Sequence, residues 1–265
     1  MLLTVILILS ILICVLLAVR NIVRLVWLPL IFIGSVAGLF LLWIVFCFIC
    51  TRTIDLNKPC TIHSPFFRWC SNVCLGFVMS FFRIDVEIIG EELLPKHKFM
   101  LAGNHRSVFD PMIAMFFLSR YNMGFIAKKE VCVYPIFNRL MHKCFCLPLD
   151  RSSLKSEART IKAAADLIKS QTASIGIYPE GQRNTSDEML PFMTGAFSLA
   201  KKADCPIVIT MIKGTDKIIK NFFAFRRSKV CMEYVAVIDR ETVRCSSTAQ
   251  LSDITSKTLT AMHLQ

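Results

Sequence analysis

Two stretches near the amino end stand apart from the rest of the chain. Leu2–Val19 holds no charged side chain, and after Arg20 and Arg24 none recurs across the 27 residues Leu25–Thr51. As a helix the second stretch would run roughly 40 Å, against a bilayer hydrocarbon core of about 30 Å, which predicts a membrane segment with length to spare for tilt. The first is only just long enough to span. No basic residue precedes it and no small-residue cleavage site follows, so it does not read as a signal peptide. The linker 20–24 leaves two arrangements open: a tight two-span hairpin, or two helices lying partly in the interface. The positive-inside rule does not choose, because Arg20 and Arg24 flank one end of the second stretch and Arg52, Lys58 and Arg68 the other. Residues 60–83 are aromatic and amphipathic, with Pro65, Phe66, Phe67, Trp69, Phe77, Phe81 and Phe82 set against Arg68 and Arg83. This pattern fits a helix at the membrane surface joining anchor to domain, and equally an ordinary core helix.

From Ile84 the pattern changes to short strands alternating with helices. Ile84–Ile89, Lys98–Gly103, Gly124–Ala127, Ser174–Tyr178, Pro206–Ile212 and Val230–Ile238 read as strands. Pro111–Leu118 reads as a helix with Asp110 as N-cap and Pro111 at its first position. Pro135–His142, Gly195–Lys202 and Thr248–His263 are further helices, and Leu154, Ala158, Ile161, Ala165 and Ile168 mark an amphipathic one over 154–169. The expected architecture is an α/β domain with a largely parallel central sheet over 84–265, preceded by a helical membrane anchor and interfacial segment over 1–83.

Composition agrees: 54% of the 265 residues are hydrophobic, and the excess is local to the amino end. Net charge is +12, with six Lys/Arg against one Asp in 1–83 and 25 against 18 in 84–265. Such a surplus suits anionic lipid headgroups or anionic substrates. A nucleic-acid partner is disfavoured, because there is an anchor and no reader motif. Of the twelve cysteines, Cys47 and Cys50 form a CxxC inside the apolar stretch, and Cys70/Cys74 and Cys144/Cys146 lack a partner pair at zinc spacing. No histidine clusters with them, so buried reduced thiols on the cytosolic side are expected, and no metal.

Two polar blocks each interrupt an apolar strand end: Asn104-His105-Arg106-Ser107-Val108-Phe109-Asp110 and Tyr178-Pro179-Glu180-Gly181-Gln182-Arg183. Both follow expected strands, so both belong at the carboxyl edge of the sheet, where open α/β sheets build their sites. His105 and Asp110 can meet only if the chain turns between them. An Asp beside an imidazole fixes its tautomer and lets it take a proton from a hydroxyl. Taken alone, the pair reads better as a loop His and an N-cap Asp, since short patterns of this kind match by chance often. In the second block Gly181 permits close backbone approach and Arg183 offers a bidentate phosphate fork, with Glu180 near enough to orient it. A surface ion pair from Arg183 to Glu180 or Asp187 is the structural alternative.

Together the blocks resemble the 1-acyl-sn-glycerol-3-phosphate (lysophosphatidic acid) acyltransferase family of the glycerolipid acyltransferases. The family's N-H-x-x-x-x-D stands as Asn104 to Asp110. Its second motif ends in an Arg after an apolar strand, here Cys146-Leu147-Pro148-Leu149-Asp150-Arg151, downstream of Ala127-Lys128-Lys129-Glu130. Its F-P-E-G-x-R stands as Tyr178 to Arg183, with Tyr for Phe, and its V-P-I-V-P-like strand as Cys205-Pro206-Ile207-Val208-Ile209. The match runs from about Ile84 to Val237 with the motifs in order. It departs at Phe192-Met193-Thr194-Gly195-Ala196, which lacks the family's Lys, and at Thr210, near the usual second Pro. The resemblance implies direct acyl transfer without an acyl-enzyme or any cofactor. His105, held by Asp110, would deprotonate the sn-2 hydroxyl of lysophosphatidic acid, which attacks an acyl-CoA or acyl carrier protein thioester. Arg151 and Arg183 would hold the acceptor phosphate, and Glu180 and Gly181 would shape its pocket. Rival readings are another acceptor (a different lysophospholipid, glycerol 3-phosphate or a lyso-aminolipid) and a non-catalytic membrane lipid-binding protein. A metallophosphoesterase, suggested by Gly103-Asn104-His105, is excluded because no Asp-x-His occurs.

Overall fold

The computed structural model describes residues 2–263 apart from 21, 57, 134, 185 and 187; the side chains at 132–137 and 263 also lie outside the described set. The elements in chain order are α1 (Leu2–Val19), α2 (Leu28–Thr51), α3 (Pro65–Phe81), β1 (Ile84–Ile89), β2 (Met100–Gly103), α4 (Phe109–Phe117), β3 (Gly124–Lys128), α5 (Pro135–Lys143), β4 (Leu147–Leu149), α6 (Leu154–Lys169), β5 (Ile175–Ile177), α7 (Ser198–Ala203), β6 (Ile207–Lys213), α8 (Ile218–Phe223), β7 (Ser228–Ile238), α9 (Arg240–Cys245) and α10 (Thr248–His263).

The strands form one seven-stranded sheet in the order β1-β7-β6-β2-β5-β3-β4. Every pairing is parallel except β6 with β7. β2 and β6 are buried on both faces, which is why they read as unbroken apolar runs. Met100, Ala102, Ile207 and Ile209 face a core closed by α6, α7, α9 and α10. Leu101 and Val208 face the opposite core, closed by α3, α4, α5 and α8. α6 shows how directly pattern becomes packing: Ser153 caps it by accepting from the Ser156 amide, and Ile161, Ala165 and Ile168 turn inward as spaced.

α1 and α2 are long and apolar enough to cross a membrane, and they expose most of that apolar surface. α3 packs on the α/β core with one side and on α2 with another. Cys70 is buried in the α/β core with Leu75 and Val78 packed against it, while Phe77 stacks on Phe40 and Trp69 packs edge-on to Trp43 of α2. Arg68 is not a surface charge. It is buried, donating to the carbonyls of Met123 and Cys144, and so drops out of any count of charges flanking α2.

Three expectations need correction. Asp110 is not an N-cap: α4 begins at Phe109 behind Val108, with no side-chain cap, which puts Pro111 third in the helix. The helix expected over 195–202 splits into a 3₁₀ turn, Thr194–Phe197, and α7. The strand expected from Lys98 starts at Met100, because the Phe99 amide bonds the Ser174 hydroxyl in place of a ladder partner.

Candidate active site

β2 and β5 are parallel neighbours, so their carboxyl ends deliver the two polar blocks side by side. The imidazole of His105 donates from Nδ1 to Asp110 Oδ2 at 2.9 Å, which leaves Nε2 as the nitrogen available to a substrate. The five-residue gap is closed by a turn, and the Asp110 carboxylate explains the turn. Its Oδ2 also accepts from the amides of Arg106 (2.6 Å) and Ser107 (2.7 Å), while Oδ1 accepts from the Thr215 hydroxyl (2.5 Å). That recruitment is why Asp110 cannot cap α4. The Asp110 side chain is fully buried and that of His105 is 19% exposed, so the pair presents only the imidazole.

Further bonds fix the loop. The His105 amide donates to Glu180 Oε1 at 2.9 Å, and the Leu190 amide donates to Glu180 Oε2 at 3.3 Å. Glu180 is therefore buried beneath the site and tied to backbone, without an ion pair to Arg183. Asn104 bridges to β6, exchanging hydrogen bonds of 2.8 Å with the backbone of Ile212. Tyr178 lies flat on His105, with centroids 4.3 Å apart and 7° between planes, and Phe125 stacks behind it at 5.3 Å. Burial, and then the Asp110 carboxylate, push the Tyr178 phenol well above its ordinary range, so it stays neutral against the imidazole.

His105, Arg106, Arg151, Gly181 and Arg183 share a cavity of about 840 Å³. Much of the rest of its wall is apolar, with α3, α4 and α5 contributing Leu75, Met112, Leu140 and Met141, while Lys128 and Glu157 add charge from β3 and α6. Gly181 adopts φ +71°, and a Cβ there would meet the Met193 methyl at 2.7 Å. Its carbonyl accepts from Arg151 Nη2 at 2.8 Å, which brings the end of β4 to the β5 loop. Arg183 is exposed at the cavity rim. The expected contact with Asp187 lies outside the described residues. The eleven cysteines with described side chains are unbridged, and no group of three metal-ligating side chains forms among the described residues. Thr215 is the site residue that sequence reasoning missed. It lies 105 positions from Asp110 and belongs to none of the motifs.

A family model described as Acyltransferase matches residues 85–213. The chain is 28% identical over 181 residues to the 1-acyl-sn-glycerol-3-phosphate acyltransferase of Saccharomyces cerevisiae, covering 66% of this chain and 58% of that protein. It is 29% identical over 167 residues to the protein of the same name from Limnanthes alba, covering 63% and 59%. The chain thus spans under two thirds of the length of these relatives. In three dimensions it resembles the crystal structure of the 1-acyl-sn-glycerophosphate (LPA) acyltransferase PlsC from Thermotoga maritima. The TM-score is 0.59 at 19% identity, over 83% of this chain and 87% of the other, a likeness of fold.

Proposed function

We propose that this chain, which belongs to the lysophosphatidic acid acyltransferase family, transfers a fatty acyl group from an acyl thioester to the sn-2 hydroxyl of 1-acyl-sn-glycerol 3-phosphate, giving phosphatidic acid. One observation carries the reading: a buried carboxylate orients His105 at a cavity with largely apolar walls and three arginines, Arg106, Arg151 and Arg183. The apolar walls suit acyl chains. Arg151 and Arg183 suit the acceptor phosphate, each able to present a fork of donors.

His105 Nε2 takes the hydroxyl proton as the oxygen bonds to the thioester carbonyl carbon, and Asp110 stabilises the imidazolium. When the carbon–sulfur bond breaks, the thiolate of coenzyme A or acyl carrier protein leaves and recovers that proton. The balance needs no metal, redox group or covalent intermediate. Gly181 and Glu180 act through the backbone, Gly181 by letting Arg151 approach and Glu180 by holding the His105 amide. α1 and α2 anchor residues 1–83 in a membrane whose phospholipids surround the acceptor, and residues 84–265 do the chemistry from the cytoplasmic face.

The test is purified protein with a radiolabelled acyl donor and a panel of lysolipids. We expect labelled phosphatidic acid, and a loss on the order of 10²–10⁴-fold in His105→Ala with the protein still folded and bound to membrane. Activity of that variant within a few-fold of the parent would remove His105 as the base. Preferred labelling of a different lysolipid would reassign the acceptor.

A further inference from the structure

Away from the cavity, α8 and the turn after it form an unusual surface. Ile218 is buried, but Ile219, Phe223 and Phe225 are 47%, 75% and 85% exposed. Around them stand Lys217, Lys220, Arg226, Arg227 and Lys229, all exposed, with Asp216 as the segment's acid. None of the five cations forms an ion pair among the described residues.

This is a built surface. Phe225 sits at φ +57°, a left-handed conformation that a bulky side chain keeps only where its surroundings hold it. Arg83 does the holding. Its Nη1 donates to the Phe225 carbonyl and its Nη2 to the Phe222 carbonyl, both at 3.1 Å, and the guanidinium lies over both rings. Phe222 in turn packs on Phe81 and Phe82 at the end of α3, with centroids 5.1 and 4.9 Å apart. Those two rings also line an apolar cavity of about 600 Å³ shared with α1 and α2. The exposed rings of α8 are thereby held beside the two apolar helices.

We infer that α8 and its following turn are a second membrane contact, in which Phe223 and Phe225 enter the interface and the flanking cations bind anionic phospholipid headgroups. A bilayer fits better than a protein partner for two reasons. The surface continues the exposed apolar face of α1–α3, and nearly all its charges share one sign around projecting aromatic rings. The inference rests on the reading that α1 and α2 enter a membrane, and is independent of which reaction the cavity performs. A second contact away from the anchor would fix the tilt of the α/β domain on the lipid surface.

The experiment uses the full chain with a photoactivatable benzophenone amino acid replacing Phe225. The protein is reconstituted in vesicles of phosphatidylcholine, with or without phosphatidylglycerol, then irradiated and analysed by mass spectrometry. We expect lipid adducts, several-fold more abundant with phosphatidylglycerol. Adding Arg226→Gln and Arg227→Gln should lower that yield by roughly five- to tenfold in the anionic vesicles and leave it unchanged in phosphatidylcholine. The charge variant should keep its melting curve and its transfer rate in detergent micelles, so loss of this contact is read separately from loss of activity. Absence of lipid adducts from vesicle-bound protein, equal yields in both vesicles, or adducts to a second protein chain would each overturn the inference. A chain that fails to float with vesicles would overturn it together with the anchor.

Discussion

At the scale of single residues, the site depends on one carboxylate with four donors. Of these, the Thr215 hydroxyl is the one removable without touching the loop. Hydrogen bonds to charged groups are worth about 1.5–3 kcal/mol, so Thr215→Val should lower kcat by roughly tenfold or more, and Thr215→Ser should restore it. Failure of Thr215→Ser to restore the rate, or a lowered melting temperature with kcat unchanged, would make Thr215 a packing residue. Arg183→Lys keeps the charge but loses the fork, and should raise KM for the acceptor roughly ten- to hundredfold while leaving KM for the donor nearly unchanged. Equal losses toward both substrates with lower thermal stability would instead mark Arg183 as scaffold. The motif resemblance singled out His105 and Asp110; their spacing alone showed only that the chain must turn for them to meet, as it does. The work of Glu180 was not, since its partners are backbone amides that any sequence supplies.

At the scale of elements, strand ends determine which loops can meet. β2 and β5 read clearly because both are apolar runs followed by polar blocks. β4 was legible only through the motif resemblance and not through its own pattern: it has three residues, Pro148 at its centre and a single neighbour, β3, at the sheet edge. α8 is six residues long, too short for a helical period to show. The antiparallel turn of β7 was equally hidden, because alternation of apolar positions does not encode strand direction. The β5 loop depends on Gly181, where an L side chain costs about 1–2 kcal/mol for its left-handed backbone and would also displace Met193. Gly181→Ala should therefore weaken acceptor binding and lower the melting temperature by a few degrees. Gly195→Ala on the same cavity, where a new methyl meets nothing within 4 Å, should do neither. Parallel kinetics and melting curves check the pair. Equal behaviour of the two variants would show that the loop tolerates the strain.

At the scale of the whole molecule, the question left by the sequence is how deep the helix pair goes. Uncharged length argued for spanning, but length does not say what covers a helix. α3 covers part of α2: Phe77 stacks on Phe40, Trp69 meets Trp43, and Phe66 meets Phe46. The two helices run in opposite directions along this contact, and Arg83 stands two residues past the end of α3. From Phe40 back to the start of α2 at Leu28, twelve residues remain, about 18 Å of helix. Cys14 of α1 donates to the Leu28 carbonyl, and α1 runs on five residues to Val19, about 8 Å further. If α3 stays at the water boundary with the domain it carries, the hairpin reaches about 26 Å into a hydrocarbon core of about 30 Å and stops just short of the far face. α1 and α2 still expose a large apolar surface, so the chain should stay with membranes through high salt and alkaline carbonate. A protease site inserted within residues 20–24 should resist cleavage from the membrane face opposite the α/β domain. Cleavage from that far face would establish two full spans and require α3 to sit within the lipid. Release by carbonate would reduce the pair to helices resting on the surface.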